Sequence, residues 1–523
     1  MSPLSKMLPK AWSQITPYLA FNCCVFLLGA IIFGIDTGSF GGLQALPSFL
    51  NDFGVPDQNG VYEMPQLRRS LMNSLPWIGK ILGCFSSDIL IDRLGFKNTM
   101  HVAAGVQIVG VILEISANHW MQFTIGRDVA YFAVGLVENA VPSYNAETSP
   151  AATRGLLSGS IMFVTALGNL WGAGMSRAYA TETSSKGWMI PTGMQFIPAV
   201  LILIFIPFTP ESPRWLLAKG RFDDAKRSLD KIRHKYEVED GSTTAELNAM
   251  NELVQESLAT EEGGWLDIFR GNYLRRTWIA GTLFAIHQSN GNQFVQSYAA
   301  TFYVQQGLGA MSFTYNMIGQ SMGILGCLVG VILFDITGRR PLLIYGSVVC
   351  TFLLFLASGI GGSTSNPGQK ITHTMISCFM IFPAFTRIAA TNTAFLTGAE
   401  IGGVRLRKKI MAFGLCVDVA AAFLVTFVTP YLLPILGVNI GWIFGAVCAF
   451  TVVWGWFFFP ELKNRSLEEV DELFRANLKA WQFNKYKTYG TAATLTAIQN
   501  GDRDAAQRAT AEEKAVATQN EAI

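Results

Sequence analysis

The chain has 523 residues, 50% of them hydrophobic and only 15% charged, with a net charge of +2 and a positive mean hydropathy. This exceeds the apolar content of one soluble core and points to a polytopic membrane protein. There is no basic excess to follow a phosphate backbone, no GxxxxGKS/T loop and no zinc-type Cys/His spacing, so nucleic acid, nucleotide chemistry, metal and cofactor are not expected.

In chain order, the amino end "MSPLSKMLPKAWSQITPY" lacks a short apolar core with a small-residue cleavage site, so the first span is expected to serve as the targeting signal. Apolar runs near 19–43, 71–91, 98–117, 121–143, 156–178 and 188–208 are long enough to cross a bilayer. Six more follow near 276–303, 312–334, 341–360, 371–398, 410–436 and 438–459. Backbone groups in lipid must be satisfied within their own segment, which predicts an all-α membrane protein of twelve helices in two six-helix halves. The polar stretch 209–275 is a linker with short helices, residues 1–18 and 460–523 are terminal segments, and the sequence beyond about 488 is expected to be disordered. In the tail, "SLEE" from Ser466 has capping-box spacing and predicts a short helix. The eight cysteines lie in or beside apolar runs without paired spacing and read as packing residues.

Lys and Arg concentrate in alternate connections, at Arg93 and Lys97, Arg154, Arg214 to Lys235, Arg339 and Arg340, and Arg405 to Lys409. The positive-inside rule then places both termini in the cytosol. Three signatures recur in the same order roughly 250 residues apart: "DRLGFK" at 92 with "DITGRR" at 335, "ETSPAATR" at 147 with "EIGGVRLR" at 400, and "PESPR" at 210 with "PELKNR" at 460. Such order and spacing argue for a duplicated six-helix unit, one of the transporter architectures.

Within the first span one residue is charged. Asp36, in "LLGAIIFGIDTGSFGG", is the sole charged side chain between Ala11 and Asn51. An ionisable residue at that depth costs a few kcal/mol and usually faces a cavity on an ion or proton path. In the seventh span "HQSNGNQF" places His287, Gln288, Asn292 and Gln293 within two turns, a polar cluster suited to sugar hydroxyls or to helix-to-helix hydrogen bonding.

The set "FGIDTGSFGG", "DRLGFK", "GRDVAYFAVG", "ETSPAATRG", "PESPRWLL", "HQSNGNQF", "DITGRR" and "PELKNRSLEEV" resembles the sugar porter family of the major facilitator superfamily, its fungal members in particular, over roughly residues 20 to 475. The resemblance implies a carrier of a mono- or disaccharide that alternates access between its halves, here expected as a monomer in the plasma membrane. It implies a cytosolic latch of Asp92, Arg93, Glu147, Arg154, Glu211, Asp335, Arg339, Arg340, Glu400 and Arg407. It also implies that Asp36 carries the proton, paired with Arg127 of the "GR" motif, and that Gln288 matches the second Gln of the family's QQ pair.

Departures from the pattern are equally pointed. Met162 stands where a sugar-binding Gln is usual, with Asn169 two turns on; Phe395 replaces the usual Trp; His287 replaces the first Gln. Arg387 aligns with an acidic residue of hexose carriers and Asp418 with an amide. Those two opposite charges are expected to pair with each other or, alternatively, Arg387 meets a carboxylate on a sugar acid of uronate or quinate type. The expected function is a proton symporter of a sugar; the alternatives are a facilitator, a carrier of a sugar acid, and a non-transporting sensor. No nucleophile, metal cluster or cofactor loop supports an enzyme.

Overall fold

Thr16 begins the first helix. Its hydroxyl accepts from Leu19 N at 3.1 Å and Pro17 follows at the first helical position, so the chain enters the apolar run already capped. The computed structural model describes residues 15–486 apart from 59, 151–153, 260–263, 363–367, 404, 405, 464, 466, 477, 484 and 485. Ser466 and the segment after 488 lie outside the described residues.

Among the described residues, seven helical stretches are long and apolar enough to cross a membrane. Two of them, Gln66–Ile115 and Arg407–Phe457, have 50 and 51 residues, while one crossing takes about 20, so each holds two crossings. The first span is Pro17–Leu43; the second and third lie in Pro76–Ile115, preceded by Gln66–Ser74; the fourth is Trp120–Thr148 and the fifth Arg154–Ala178. The sixth is built from Lys186–Gly193 and Phe196–Phe205. In the second half the seventh span is Gly271–Ser289 with Asn292–Gln305, the eighth Met311–Thr337 and the ninth Arg339–Gly362. The tenth runs from Gln369–Thr386 through a π-helical turn, Arg387–Thr391, into Asn392–Ile401; the eleventh is Arg407–Leu436 and the twelfth Ile440–Phe457. A two-residue antiparallel ribbon, Val55–Pro56 with Tyr62–Glu63, interrupts the connection between the first two spans.

The duplicated motifs are one structural device used twice. Gly95 (φ 83°) and Gly338 (φ 95°) each take a positive φ that side chains disfavour, bending the chain between the second and third spans and between the eighth and ninth. The helix that follows is capped by a distant glutamate: Glu211 accepts from Phe96 N at 3.0 Å and Lys97 N at 3.2 Å, and Glu461 from Arg339 N at 3.1 Å and Arg340 N at 3.0 Å. A Cβ at either glycine would sit 2.5 or 2.6 Å from its glutamate oxygen. This is the physical content of "DRLGFK…PESPR" and "DITGRR…PELKNR".

Linker helices Pro213–Ala218, Phe222–Ile232 and Ser242–Ala259 bury Leu216, Leu217, Leu229, Ile232 and Leu247 against Leu19 and Cys23 at the start of the first span. Thr16 Oγ1 also donates to Ile232 O at 3.0 Å. The halves meet at the end remote from the duplicated motifs, where Ser70 Oγ donates to Phe427 O at 2.6 Å and Arg177 Nε to Thr314 Oγ1 at 2.5 Å. Phe40 and Phe49 share one apolar cluster there with Ala300 and Phe313 of the other half.

Candidate functional site

Close helix approach positions the first-span carboxylate. A Cβ at Gly34 would fall 2.2 Å from Thr165 O, and one at Gly38 2.2 Å from Asn169 O, so backbone lies against backbone where the first and fifth spans cross. That contact fixes the rotation of the first span and turns Asp36 toward the fourth. There Arg127 Nη2 donates to Asp36 Oδ2 at 2.7 Å and Nε to Oδ1 at 3.4 Å, with both side chains 3% exposed. Arg127 also donates to Met72 O at 2.8 Å and Tyr131 Oη at 3.3 Å, and its guanidinium lies 3.6 Å from the Phe40 ring centroid. Asp36 and Arg127 are brought together as the sequence reading expects.

Two buried ionisable residues, Glu114 and Lys80, and one partly buried, Glu138, escaped that reading. Glu114 in the third span is 1% exposed, hydrogen-bonds Gln195 and lies within electrostatic reach of Asp36 and Arg127. Lys80 in the second span, 3% exposed, donates to Glu138 of the fourth at 3.0 Å. The signal that identified Asp36, a lone charge inside an apolar run, was present for all three.

In the second half the seventh span breaks at Gly291 (φ 99°), and Asn290 Oδ1 accepts from Asn292 N at 2.9 Å to start the second segment. Broken helices of this kind expose polar backbone to a cavity. Just before the break, His287 Nδ1 lies 2.7 Å from Asp418 Oδ1, and Gln288 Nε2 donates to Asp418 Oδ2 at 2.7 Å. Phe395 stands edge-on to His287, with centroids 5.6 Å apart. Gln293 donates to Ser297 Oγ at 3.0 Å and lines a small cleft with Thr37, Asn73, Trp77 and Arg127, so residues of both halves face one space. Asn292 is half-buried at the head of its segment, and Met162 is half-buried on the fifth span.

The expected Arg387–Asp418 pair is not formed. Asp418 is occupied by His287 and Gln288, while Arg387 turns to the first half. The Asn169 amide is best oriented with its nitrogen donating to Gly34 O at 2.9 Å and Thr37 Oγ1 at 2.6 Å, which leaves its oxygen to accept from Arg387 Nη2 at 3.2 Å. Asn169 therefore joins Thr37, the neighbour of Asp36, to Arg387 across the halves.

Of the latch residues whose side chains are described, the pairs lie within one half or between a half and the linker. Arg339 Nη2 donates to Glu400 Oε1 at 2.9 Å, Glu147 accepts from Ser212 Oγ, and Asp92 pairs with linker Lys219 at 2.6 Å. Arg93 and Arg407 are exposed; the side chains of Arg154 and Asp335 lie outside what is described. Across the halves, Lys408 is within electrostatic reach of Glu147 and Asp88.

Residues 22–474 match the family of sugar (and other) transporters. The chain belongs to that family. It is similar to the low-affinity glucose transporter HXT4 of Saccharomyces cerevisiae strain JAY291, 27% identical over 485 residues that cover 91% of this chain and 84% of that one. Hexose transporter HXT10 of S. cerevisiae S288c is 28% identical over 473 residues, covering 88% and 86%. Among solved structures, the proton:xylose symporter XylE bound to 6-bromo-6-deoxy-D-glucose superposes with TM-score 0.70 at 22% identity, covering 87% of this chain and 99% of that one. The inward open conformation of the xylose transporter XylE from E. coli gives TM-score 0.70 at 21% identity, over 87% and 100%. The family member thus has the major facilitator fold, and its relatives are transporters.

Proposed function

We propose that this sugar transporter family member is a proton symporter of the plasma membrane, a monomer with both termini cytosolic, whose two halves, 19–208 and 276–459, rock about a central sugar site. The observation that carries the reading is the Asp36–Arg127 pair, bidentate and almost wholly removed from water. Such a pair is expensive to bury and is strongly destabilised when one partner loses its charge, which suits a switch thrown by a proton. Protonation of Asp36 removes the anion from Arg127; the guanidinium keeps Met72 O, Tyr131 and Phe40 as partners and so stays in place. The first span is then free to move relative to the fourth. Its next residue, Thr37, reaches Asn169 and through it Arg387, so a change at the proton site is passed to the surface between the halves.

His287, Gln288, Asn292, Gln293, Asn169, Phe395 and Asp418 supply amides, a carboxylate and an aromatic face around that surface, the groups a sugar's hydroxyls and ring require. With the motifs cytosolic, the joined end is the outer one, and release to the cytosol follows separation of the inner ends, where the charge of Lys408 lies within electrostatic reach of Glu147 and Asp88 of the other half and that attraction changes between states.

Uptake of labelled sugars at pH 5 and pH 7.5 in yeast lacking its own carriers tests this. Acid-stimulated uptake that Asp36→Asn abolishes, while exchange of the same sugar persists, is expected. Uptake indifferent to pH that survives the substitution identifies a facilitator.

A further inference from the structure

Among the described residues, Arg387 is a buried cation without a carboxylate partner. It is 7% exposed, and among the described residues its partners are the Cys327 thiol, 3.9 Å from Nη1, and the Asn169 amide oxygen. Of the acidic side chains described in the heart of the bundle, Asp36 is engaged by Arg127, Glu138 by Lys80 and Asp418 by His287 and Gln288, while Glu114 hydrogen-bonds Gln195 within electrostatic reach of Arg127 rather than of Arg387. A guanidinium has five donors, no acceptor and no neutral form at physiological pH, so the charge is not relieved by losing a proton. Left uncompensated at this depth it costs several kcal/mol.

The local backbone is also unusual. Arg387 opens the π-helical turn Arg387–Thr391, and such turns recur at functional sites because they re-aim side chains. On the same turn and just after it, Thr391 Oγ1 and Asn392 Nδ2 are buried with no hydrogen-bond partner among the described residues, and so is Gln288 Oε1 on the seventh span. A cation lacking an anion, on the same stretch of the tenth span as two polar atoms lacking partners and with a third on the seventh, marks a region short of a ligand that carries both a carboxylate and hydroxyls.

We propose that the substrate is a sugar acid, whose carboxylate docks on Arg387 and whose hydroxyls meet the Asn169, Gln288, Thr391 and Asn392 side chains. This deepens the transport reading above and rests on it. Arginine presents a planar fork matched to a carboxylate, and the pairing is among the strongest available. Charge balance follows: one sugar-acid anion with one proton is a neutral cargo, so transport is insensitive to membrane potential, whereas a neutral sugar with a proton is driven by it.

The test separates binding from transport. Purified full-length protein is titrated in thermal-shift assays with galacturonate, glucuronate and gluconate, each beside its neutral amide, and with galactose. At least one acid is expected to stabilise the protein, with apparent affinity at least tenfold above its own amide; Arg387→Gln is expected to erase that difference. Equal affinity for every acid and its amide, or no response to any of the acids, overturns the proposal, and because these comparisons use the wild type they stand even if the variant fails to fold. Uptake in proteoliposomes then judges the transport reading alone: proton-driven galactose uptake without acid binding leaves symport standing and removes the sugar acid.

Discussion

Asp418 and His287 face each other at 2.7 Å across the seventh and eleventh spans, both nearly sealed from solvent. The pair gives the histidine an anion and gives the anion, with Gln288, two hydrogen-bond donors. Hydrogen bonds to a charged group contribute about 1.5–3 kcal/mol each, and removing one partner leaves the other buried without compensation. Asp418→Asn is therefore expected to lower uptake by about tenfold or more at unchanged surface expression. His287→Gln, which offers Asp418 an amide donor in place of the ring, retains most of it. Equal uptake by wild type and Asp418→Asn assigns the pair no part in transport.

The Lys80–Glu138 pair predicts a pattern of stability. Lys80→Met strands the Glu138 carboxylate and is expected to destabilise the purified protein by about 3–5 kcal/mol, while Lys80→Met with Glu138→Met regains most of the loss. Thermal unfolding in detergent of the two singles and the double closes the cycle. A double variant no better than Lys80→Met means the two side chains are not coupled.

Gly38 sits where a methyl group would meet Asn169 O at 2.2 Å, whereas a Cβ at Gly105 in the third span meets nothing within 4 Å. Gly38→Ala is expected to cost about 1–3 kcal/mol and to impair transport by moving Asn169, and Gly105→Ala to be neutral or slightly stabilising. Comparable melting temperatures for the two variants contradict the close approach of first and fifth spans.

Burial holds the Glu211 carboxyl above its ordinary value of 4.5, even though three backbone N–H groups, those of Ser212, Lys97 and Phe96, favour the anion. With the folded value raised, the native state binds more protons than the unfolded chain across the window from 4.5 upward, so this group's contribution to stability falls as pH rises through that window. Glu211→Gln mimics the protonated form and lacks the dependence. The melting temperature of wild type relative to Glu211→Gln is expected to decline from pH 4.5 to pH 7.5; a rising difference means the backbone donors outweigh burial.

Much of this molecule is legible in the chain. Asp36 stands alone in a long apolar run, and an isolated charge in a span already demands a partner. The duplicated glycine and glutamate motifs are legible too, because each repeats a complete local device: a positive-φ bend and the carboxylate that caps the next helix. The Arg387–Asp418 expectation failed for a physical reason. Adjacency of opposite charges in facing spans does not fix the rotation of either helix, and the π-helical turn at Arg387–Thr391 changes the register of the tenth span where that rotation matters.

The sequence by itself determined that the chain is a bundle of membrane helices in two related halves, because lipid leaves a backbone no other way to satisfy its polar groups. It also determined the capping devices and the presence of charges that need company. Tertiary structure alone decided who meets whom. The crossing of first and fifth spans at Gly34 and Gly38 aims Asp36 at Arg127 and draws Asn169 to Arg387, while the break at Gly291 lies just beyond His287 and Gln288, which close on Asp418. Helix identity is a local property of composition. Helix rotation is set by contacts between residues more than a hundred positions apart, and the pairing of buried charges follows from rotation.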